Sequence, residues 1–317
     1  MRAETPAGAS GYGLVVSALR PIMRTGFPGR GAILRNFIND PAHEDYWSKA
    51  GLRWVKGDVH GYDMPCDLSI FTGRIAFFLR RWNEADTQSI LLTLLKPGDT
   101  FVDIGANVGM ATLTAARAVG PAGRIVAYEP NPEVAAILDA AVRRNGLENV
   151  DVRQSAIGPK AGRTSLFVPE ANHGEASLGA ASGSTAGRSF EIAIEDGSRL
   201  AELDRCDFIK IDVEGYEAHV VDAISETIAT LRPLVSTEVI ARHLERCGST
   251  VEHLARSFDR LSYTGFRYFN QAAGLRHFRA KLEPFEVGRL DSDTNVLWVP
   301  SERSAAVRDT EFVRIRR

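Results

Sequence analysis

The stretch from Gly98 to Ala118, GDTFVDIGANVGMATLTAARA, joins a short apolar strand to a helix through an acid and two glycines. The strand TFVDIG carries Asp103, and Gly105 and Gly109 follow before the helix VGMATLTAARAV. A glycine in such a turn lets the backbone approach a ligand, or adopt a conformation that a Cβ forbids. The amides at the start of the next helix suit a carboxylate or another anion. This stretch therefore predicts a ligand-binding turn.

The chain around this turn alternates between strands and helices. The predicted strands and helices that follow are GRIVAYEP, NPEVAAILDAAVRRNG, VDVRQSAIG, CDFIKIDVEGYE, AHVVDAISETIATLR, PLVSTEV, VEHLARSFDRLSYTG, FRYFN and TNVLWVP. Strands that alternate with helices of this length predict a parallel sheet with right-handed crossover connections. The predicted fold class is therefore α/β, with a doubly wound, mostly parallel sheet.

Three parts of the chain are predicted from this alternation. Residues 1–96 form an N-terminal extension that serves as a substrate, lid or interface region, and it contains the strand-like pieces LRWVKGDVHGY and DLSIFTG. Residues 97–300 form the ligand-binding domain, and residues 301–317 form a charged, frayed tail. The Gly-, Ala- and Ser-rich segment 170–188 is either a loose hairpin connection or a mobile lid over the site.

Composition narrows the class of protein. The 317 residues are 44% hydrophobic and 25% charged, with a formal net charge of −2, as in an ordinary globular protein without a nucleic-acid groove or a polybasic membrane anchor. The apolar patch Leu14–Leu19 is too short for a signal peptide, and no apolar run approaches the roughly 20 residues that span a bilayer. The three cysteines lie far apart, which argues against a disulfide framework or a zinc site. A cytoplasmic protein is expected.

The identity of the ligand follows from the acids at two strand ends. A dinucleotide fingerprint reads G-x-G-x-x-G, whereas this turn reads D-x-G-x-N-x-G. Asp103 can attract an ammonium group, which favours an amino-acid-like ligand over a pyrophosphate. Glu129 ends the second strand, 24 residues after Gly105, where a carboxylate can accept both hydroxyls of a ribose. A ribose joined to an amino-acid moiety indicates S-adenosylmethionine (SAM).

Several segments together resemble the FkbM family of class I SAM-dependent methyltransferases. They are FVDIGANVGMATL, YEPNPE, QSAIG and, most specifically, DFIKIDVEGYE followed by STEV, within roughly Pro97 to Pro300. The resemblance implies a Rossmann-like sheet of seven strands, SAM as cofactor, and O-methylation of a hydroxyl on a sugar, glycan or natural product. The residues expected to bind SAM are Asp103, Gly105, Asn107, Gly109, Glu129, Pro130, Asn131, Ser155 and Ala156.

The fourth strand, in IKIDVEGYEAHVV, carries the candidate catalytic acids. A neutral alcohol is a poor nucleophile, so it needs a general base or a cation that lowers its pKa. The proton acceptor is Asp212 or Glu214, or else His173 if the Gly-rich segment closes over the site. A third arrangement holds a divalent cation between Asp212, Glu214 and Glu238. These acids lack a tight ligand spacing, so no metal is predicted.

Other polar residues near these strands receive structural interpretations. Glu217 favours the N-terminus of the next helix, and Lys210 pairs with a neighbouring carboxylate. His243 and His253 are ten residues apart, which is not a metal-pair spacing, and are interpreted as surface or interface residues.

The sequence disfavours two other classes of protein and leaves a third open. An NAD(P)-dependent oxidoreductase needs the glycine-rich fingerprint that this chain lacks. A nucleic-acid methyltransferase is disfavoured because the site acids repel phosphates and no basic stripe compensates. A non-catalytic SAM-binding protein stays open. The expected acceptor is a small-molecule or glycan hydroxyl, with no nucleic acid and no membrane span, while the oligomeric state and the acceptor's identity stay open.

Overall fold

The computed structural model describes residues 11–25, 27, 29–169, 177–178, 187–273, 277–289 and 293–316. Its α-helices are α1 Gly11–Met23, α2 Arg30–Ile33, α3 Glu44–Ser48, α4 Phe71–Leu79, α5 Ala85–Leu94, α6 Met110–Val119, α7 Pro132–Arg144, α8 Glu217–Ala223, α9 Ser225–Leu231, α10 Ala241–Arg246, α11 Val251–Arg260 and α12 Ser304–Arg308. The strands are β1 Leu52–Lys56, β2 Asp63–Asp67, β3 Thr100–Ile104, β4 Arg124–Tyr128, β5 Val150–Arg153, β6 Ser155–Gly158, β7 Gly162–Pro169, β8 Ser177–Leu178, β9 Gly187–Asp196, β10 Phe208–Ile211, β11 Leu234–Val239, β12 Tyr263–Ala272, β13 His277–Pro284, β14 Thr294–Pro300 and β15 Ile315–Arg316.

The central sheet has the strand order β15-β13-β12-β14-β11-β10-β3-β4-β5. The five strands from β11 to β5 are parallel, and β14 pairs antiparallel with both β11 and β12. All five residues of β3 are buried, as expected for a parallel strand that is covered on both faces. The predicted α/β class with a mostly parallel core is confirmed. The chain order reverses between β3 and β10, where such sheets open a crevice for ligands.

The sheet holds two more strands than the expected seven, because β13 and β15 extend it beyond β12. Apolar residues at positions 278, 280 and 282 of β13 alternate with charged residues at 279, 281 and 283, which is the pattern of a half-buried strand. The prediction of a frayed tail is wrong for residues 301–316. Phe312 and Ile315 are buried, and β15 pairs with β13.

A second sheet, of order β6-β9-β7-β8, branches from the central sheet after β5. The segment VDVRQSAIG was predicted as one strand, but it divides at Gln154. Its first half pairs with β4 and its second half pairs with β9, so the prediction of one continuous strand is wrong. Most of the Gly-rich connection, including His173, lies outside the described residues.

Alternate residues of the central strands point to opposite faces of the sheet and build two cores. One core contains Val102 and Ile209 and is covered by α8 and α11, while the other contains Phe101 and Phe208 and is covered by α5 and α6. Helix α5 lies within the predicted N-terminal extension, yet its residues Ile90 and Leu91 are buried against the sheet.

A third core forms between α1, α4, the β1–β2 hairpin and α6. The piece DLSIFTG was predicted as a strand, but it ends β2 and begins α4, so this prediction is wrong after residue 67.

No helix in the described part of the chain is both long and apolar enough to cross a bilayer. The three cysteines are free thiols, and Cys66 and Cys206 are buried.

Candidate active site

A pocket opens at the carboxyl ends of β3, β4 and β10 and at the start of β6. It encloses about 800 Å³ of empty space, including the space at its mouth. Its lining includes Gly105, Asn107, Glu129, Pro130, Asn131, Ser155, Ala156, Asp212 and Glu214, together with apolar residues such as Ile104, Val134 and Leu166. The structure thus brings seven of the nine residues expected to bind SAM together with two of the expected catalytic residues; the other two of the nine, Asp103 and Gly109, are not in the lining.

The conformation and surroundings of Gly105 exclude any other residue type at this position. Its φ is 80°, and a Cβ there would lie 1.9 Å from the carbonyl oxygen of Asp212. The Gly105 amide donates to the carbonyl oxygen of Tyr128 at 3.0 Å. The turn after β3 is therefore in close contact with the ends of both β4 and β10. Its remaining side lines the pocket.

Glu129 is fixed by two backbone amides. Its Oε2 accepts from the amide of Asn107 at 2.9 Å, and its Oε1 accepts from the amide of Asn131 at 2.8 Å. Burial raises the pKa of Glu129 to about 7, against the effect of these two hydrogen bonds. Each carboxylate oxygen keeps a lone pair for a further donor, so the side chain is oriented to accept hydroxyl groups from a ligand.

Asp103 and Gly109 lie behind the pocket wall. Asp103 is fully buried, accepts from Thr112 Oγ1 at 2.6 Å, and has no hydrogen-bond partner for its Oδ1 among the described residues. Burial raises the pKa of Asp103, and the charge of Lys210 opposes this shift. A Cβ on Gly109 would lie 2.5 Å from Leu138 Cδ1, so this glycine permits the close packing of α6 on α7.

The first residues of β6 form another part of the pocket wall. Ser155 is buried and donates to Glu195 Oε1 at 2.7 Å, while Ala156 presents a small apolar surface to the pocket. A small residue beside an apolar wall suits the flat face of an aromatic base.

Asp212 is held by an ion pair at the pocket wall. Lys210 Nζ lies 2.8 Å from Asp212 Oδ2, which confirms that Lys210 pairs with a carboxylate. Burial lowers the pKa of Lys210, but Asp212, Asp103 and Glu84 outweigh it and raise the pKa above its usual value. Glu217 begins α8 and accepts from the amides of Val213 and Gly215, as expected at a helix N-terminus.

Two further carboxylates share this region. Burial raises the pKa of Glu84, and the charge of Asp212 adds to the shift. Burial also raises the pKa of Glu238, and Asp212 and Glu214 add to that shift. Sequence reasoning missed Glu84 because it precedes α5 and reads as an ordinary acid at a helix start. Only the packing of α5 brings it to the site.

Glu214, Glu238 and His243 form a cluster beside Asp212. One ligand atom from each of the three lies within 4.8 Å of the other two. His243 Nδ1 is 3.1 Å from Glu214 Oε2, and His243 is only 9% exposed, so its interpretation as a surface residue is wrong. The cluster thus differs from the arrangement of Asp212, Glu214 and Glu238 that the sequence left possible, because His243 takes the place of Asp212. His253 instead pairs with Asp222, at 2.9 Å, away from the cluster.

Comparison with known proteins assigns most of the site to a known protein family. The Methyltransferase FkbM domain matches residues 103–268, slightly more than half of the chain. Among curated proteins, an arsenite methyltransferase from Halobacterium salinarum is 34% identical over 64 residues, which are 20% of this chain and 16% of that protein. The aligned part is thus a small fraction of that relative.

The solved structures that are similar to this chain include two methyltransferases. An FkbM methyltransferase from Methylobacillus flagellatus is 14% identical with a TM-score of 0.41, over 84% of this chain and 60% of that chain. A SAM-dependent O-methyltransferase from Thermotoga maritima is 15% identical with a TM-score of 0.36, over 67% of this chain and 63% of that chain. Both alignments span less than two thirds of the other protein.

Proposed function

Because this chain belongs to the FkbM family of SAM-dependent methyltransferases, we propose that it transfers a methyl group from SAM to a hydroxyl of a sugar, glycan or natural product. The observation that carries this proposal is the pocket itself. Its wall joins the Gly105 turn and the Glu129 carboxylate to the acidic end of β10. A site for a ribosyl ligand therefore adjoins carboxylates that can accept a proton.

The residues of the pocket fit SAM. Glu129 is anchored by two amides and has lone pairs left for two ribose hydroxyls. The missing Cβ at Gly105 lets the turn after β3 lie against the Asp212 carbonyl oxygen, which brings the turn and the end of β10 together at the switch point of the sheet. SAM supplies an electrophilic methyl group, and the protein supplies its alignment and a destination for the acceptor's proton.

We assign the role of proton acceptor to Asp212. Its side chain lines the pocket, and the ion pair with Lys210 fixes its orientation. Asp212 would take up the proton of the acceptor hydroxyl when the methyl group is transferred to the hydroxyl oxygen and the methyl–sulfur bond of SAM breaks to release S-adenosylhomocysteine. Glu214 lines the same wall and is the second candidate. His173 lies outside the described residues and stays a prediction.

The charge of the site favours a small acceptor over a nucleic acid. Asp212 and Glu214 line the pocket, and two carboxylates there would repel a phosphate backbone. Free thiols at all three cysteines suit a reducing compartment, so a cytoplasmic location is part of the proposal.

The first experiment is a calorimetric titration of the protein with SAM, S-adenosylhomocysteine and NAD. We expect binding of the first two ligands and none of NAD. Binding of NAD alone would instead support an oxidoreductase. Turnover is then followed as transfer of labelled methyl groups to a panel of sugars and hydroxylated natural products.

The variant Asp212→Asn tests the chemical step. We expect SAM affinity within a fewfold of the unmodified protein and a loss of turnover of about 10²-fold or more, the usual contribution of a general base. Asp139→Asn is the matched control, because Asp139 pairs with Arg143 on the surface of α7. Full turnover in Asp212→Asn would move the proton acceptor to another group.

A further inference from the structure

We propose that Glu214, Glu238 and His243 bind a divalent metal ion at the acceptor side of the pocket. The three residues come from the turn after β10, from β11 and from α10. The ion-binding site stands on the geometry of this chain, and only its role in catalysis rests on the proposed methyl transfer.

The three ligand atoms have nearly the spacing that a metal requires. They lie within 4.8 Å of one another. Nitrogen and oxygen ligands lie about 2.0–2.2 Å from a metal ion, so two ligands of one ion are at most about 4.4 Å apart. A shift of a few tenths of an ångström in these side chains would therefore bring all three ligand atoms within coordination distance of one ion.

The backbone holds the cluster together. A Cβ at Gly215 would lie 2.2 Å from the carbonyl oxygen of His243, so the turn after β10 is in close contact with α10. Arg246 in α10 donates to the carbonyl oxygen of Glu214 at 3.0 Å. These contacts fix Glu214 and His243 relative to each other independently of their side chains. The juxtaposition is thus built into the fold.

The donor set and the local charge indicate which ion fits. Carboxylates suit Mg²⁺ and Mn²⁺, whereas an imidazole nitrogen suits transition metals, so Mn²⁺ meets both preferences. The cluster brings two carboxylates and one imidazole together, and a divalent ion would offset the negative charge of the two carboxylates.

The position of the site gives the ion a function. Glu214 lines the pocket next to Asp212, so an ion there adjoins the acceptor. Three protein ligands leave coordination positions for an acceptor hydroxyl. An ion held there would lower the pKa of that hydroxyl, and Asp212 would accept its proton. The site would favour acceptors with two neighbouring hydroxyls, since both can coordinate one ion.

The test is a titration of metal-free protein with MnCl₂, in which the electron paramagnetic resonance signal reports free Mn²⁺. We expect one ion bound per chain, and at least tenfold weaker binding in Glu238→Gln and in His243→Gln. His253→Gln is the matched control, because His253 also pairs with a carboxylate, outside the cluster. The control variant should bind as the unmodified protein does.

A second variant separates loss of a ligand from loss of the fold. Glu214 has a φ of 54°, which glycine adopts without strain, so Glu214→Gly removes the carboxylate and keeps the turn. It should unfold in denaturant as the unmodified protein does and lose Mn²⁺. Absence of stoichiometric Mn²⁺ binding to the unmodified protein, or unchanged binding in Glu238→Gln, would overturn the proposal and leave His243 and Glu214 as a plain ion pair. SAM binding that persists in either case would leave the proposed function intact.

Discussion

At the scale of single residues, Gly105 both lines the pocket and lies against the backbone of Asp212. Its positive φ and its contact with the Asp212 carbonyl oxygen are two separate constraints, and only glycine satisfies both. The same contact links the cofactor turn to the strand end that carries the proposed base. Any displacement of the turn therefore also displaces Asp212.

The variant Gly105→Ala separates these constraints when it is compared with Gly146→Ala. Gly146 also has a positive φ, of 61°, but a Cβ there meets nothing within 4 Å. We expect Gly146→Ala to lower the free energy of unfolding by about 1 kcal/mol, the cost of a left-handed non-glycine residue. Gly105→Ala should cost more than about 2 kcal/mol and abolish SAM binding. Denaturant unfolding and calorimetry measure both effects, and equal losses in the two variants would contradict the steric explanation.

The residues of the candidate site divide according to how they reach the pocket. Glu129 and Asp212 stand at the ends of apolar strands, and parallel strands end at one edge of a sheet, so the sequence alone predicts their proximity. Glu84 and His243 reach the site through the packing of α5 and α10, which no local pattern encodes. Asp103 was placed at the correct strand end, but its complete burial depends on the helices above it.

At the scale of elements, α5 belongs to the sheet core. Its residues Ile90 and Leu91 are buried in the same core as Phe101 and Phe208, although the helix lies within the predicted extension. The residue before α5, Glu84, interacts electrostatically with Asp212 and Lys210. The helix thus supports both the packing of the sheet and the acidic side of the pocket.

Leu91→Ala tests the contribution of α5 to stability. Leu91 is 1% exposed, so the truncation leaves a cavity and should lower the free energy of unfolding by about 2–5 kcal/mol. Leu14→Ala is the matched control, because Leu14 is 61% exposed on α1 and should change stability by less than about 0.5 kcal/mol. Denaturant unfolding gives both values. A small effect at Leu91 would show that α5 can detach without loss of the core.

The sequence predicted most accurately those elements whose apolar residues form one uninterrupted run. Strands β3, β4, β10 and β11 are apolar runs between turn signals, and each was placed close to its observed position. Strand β13 was not predicted, although its apolar and charged residues alternate strictly from Phe278 to Glu283. The break at Gln154 could not be predicted, since it arises from a change of pairing partner and not from a turn residue.

At the scale of the whole molecule, the site concentrates carboxyl groups that the folded protein prefers to keep protonated. Burial raises the pKa of Glu129 and Glu217 to about 7 each, and it also raises the pKa of Glu84 and Glu238. A carboxyl group with a raised pKa binds its proton more tightly in the folded state than in the unfolded state. The stability that it contributes is complete below its unfolded pKa and is lost as the pH rises through the folded value.

The melting temperature of the ligand-free protein should therefore fall between pH 5.5 and pH 8.5, a range set by these raised pKa values. Each such group contributes a slope of up to about 1.4 kcal/mol per pH unit between its two pKa values. Differential scanning calorimetry across this range measures the fall, and Glu129→Gln should make it shallower. A melting temperature that stays constant or rises with pH would contradict the burial of these acids.

The C-terminal strand also determines where the sheet ends. Residue Val313 accepts from Ser89 Oγ at 2.5 Å, and its amide donates to Thr93 Oγ1 at 3.0 Å, so the last residues are tied to α5 before β15 pairs with β13. β15 pairs with His277 and Phe278, so a chain that stopped at Pro300 would expose the backbone groups of this end of β13, a template for pairing with other chains. The residues after Pro300 thus cover one end of this sheet edge, and an affinity tag is better attached at the other end of the chain.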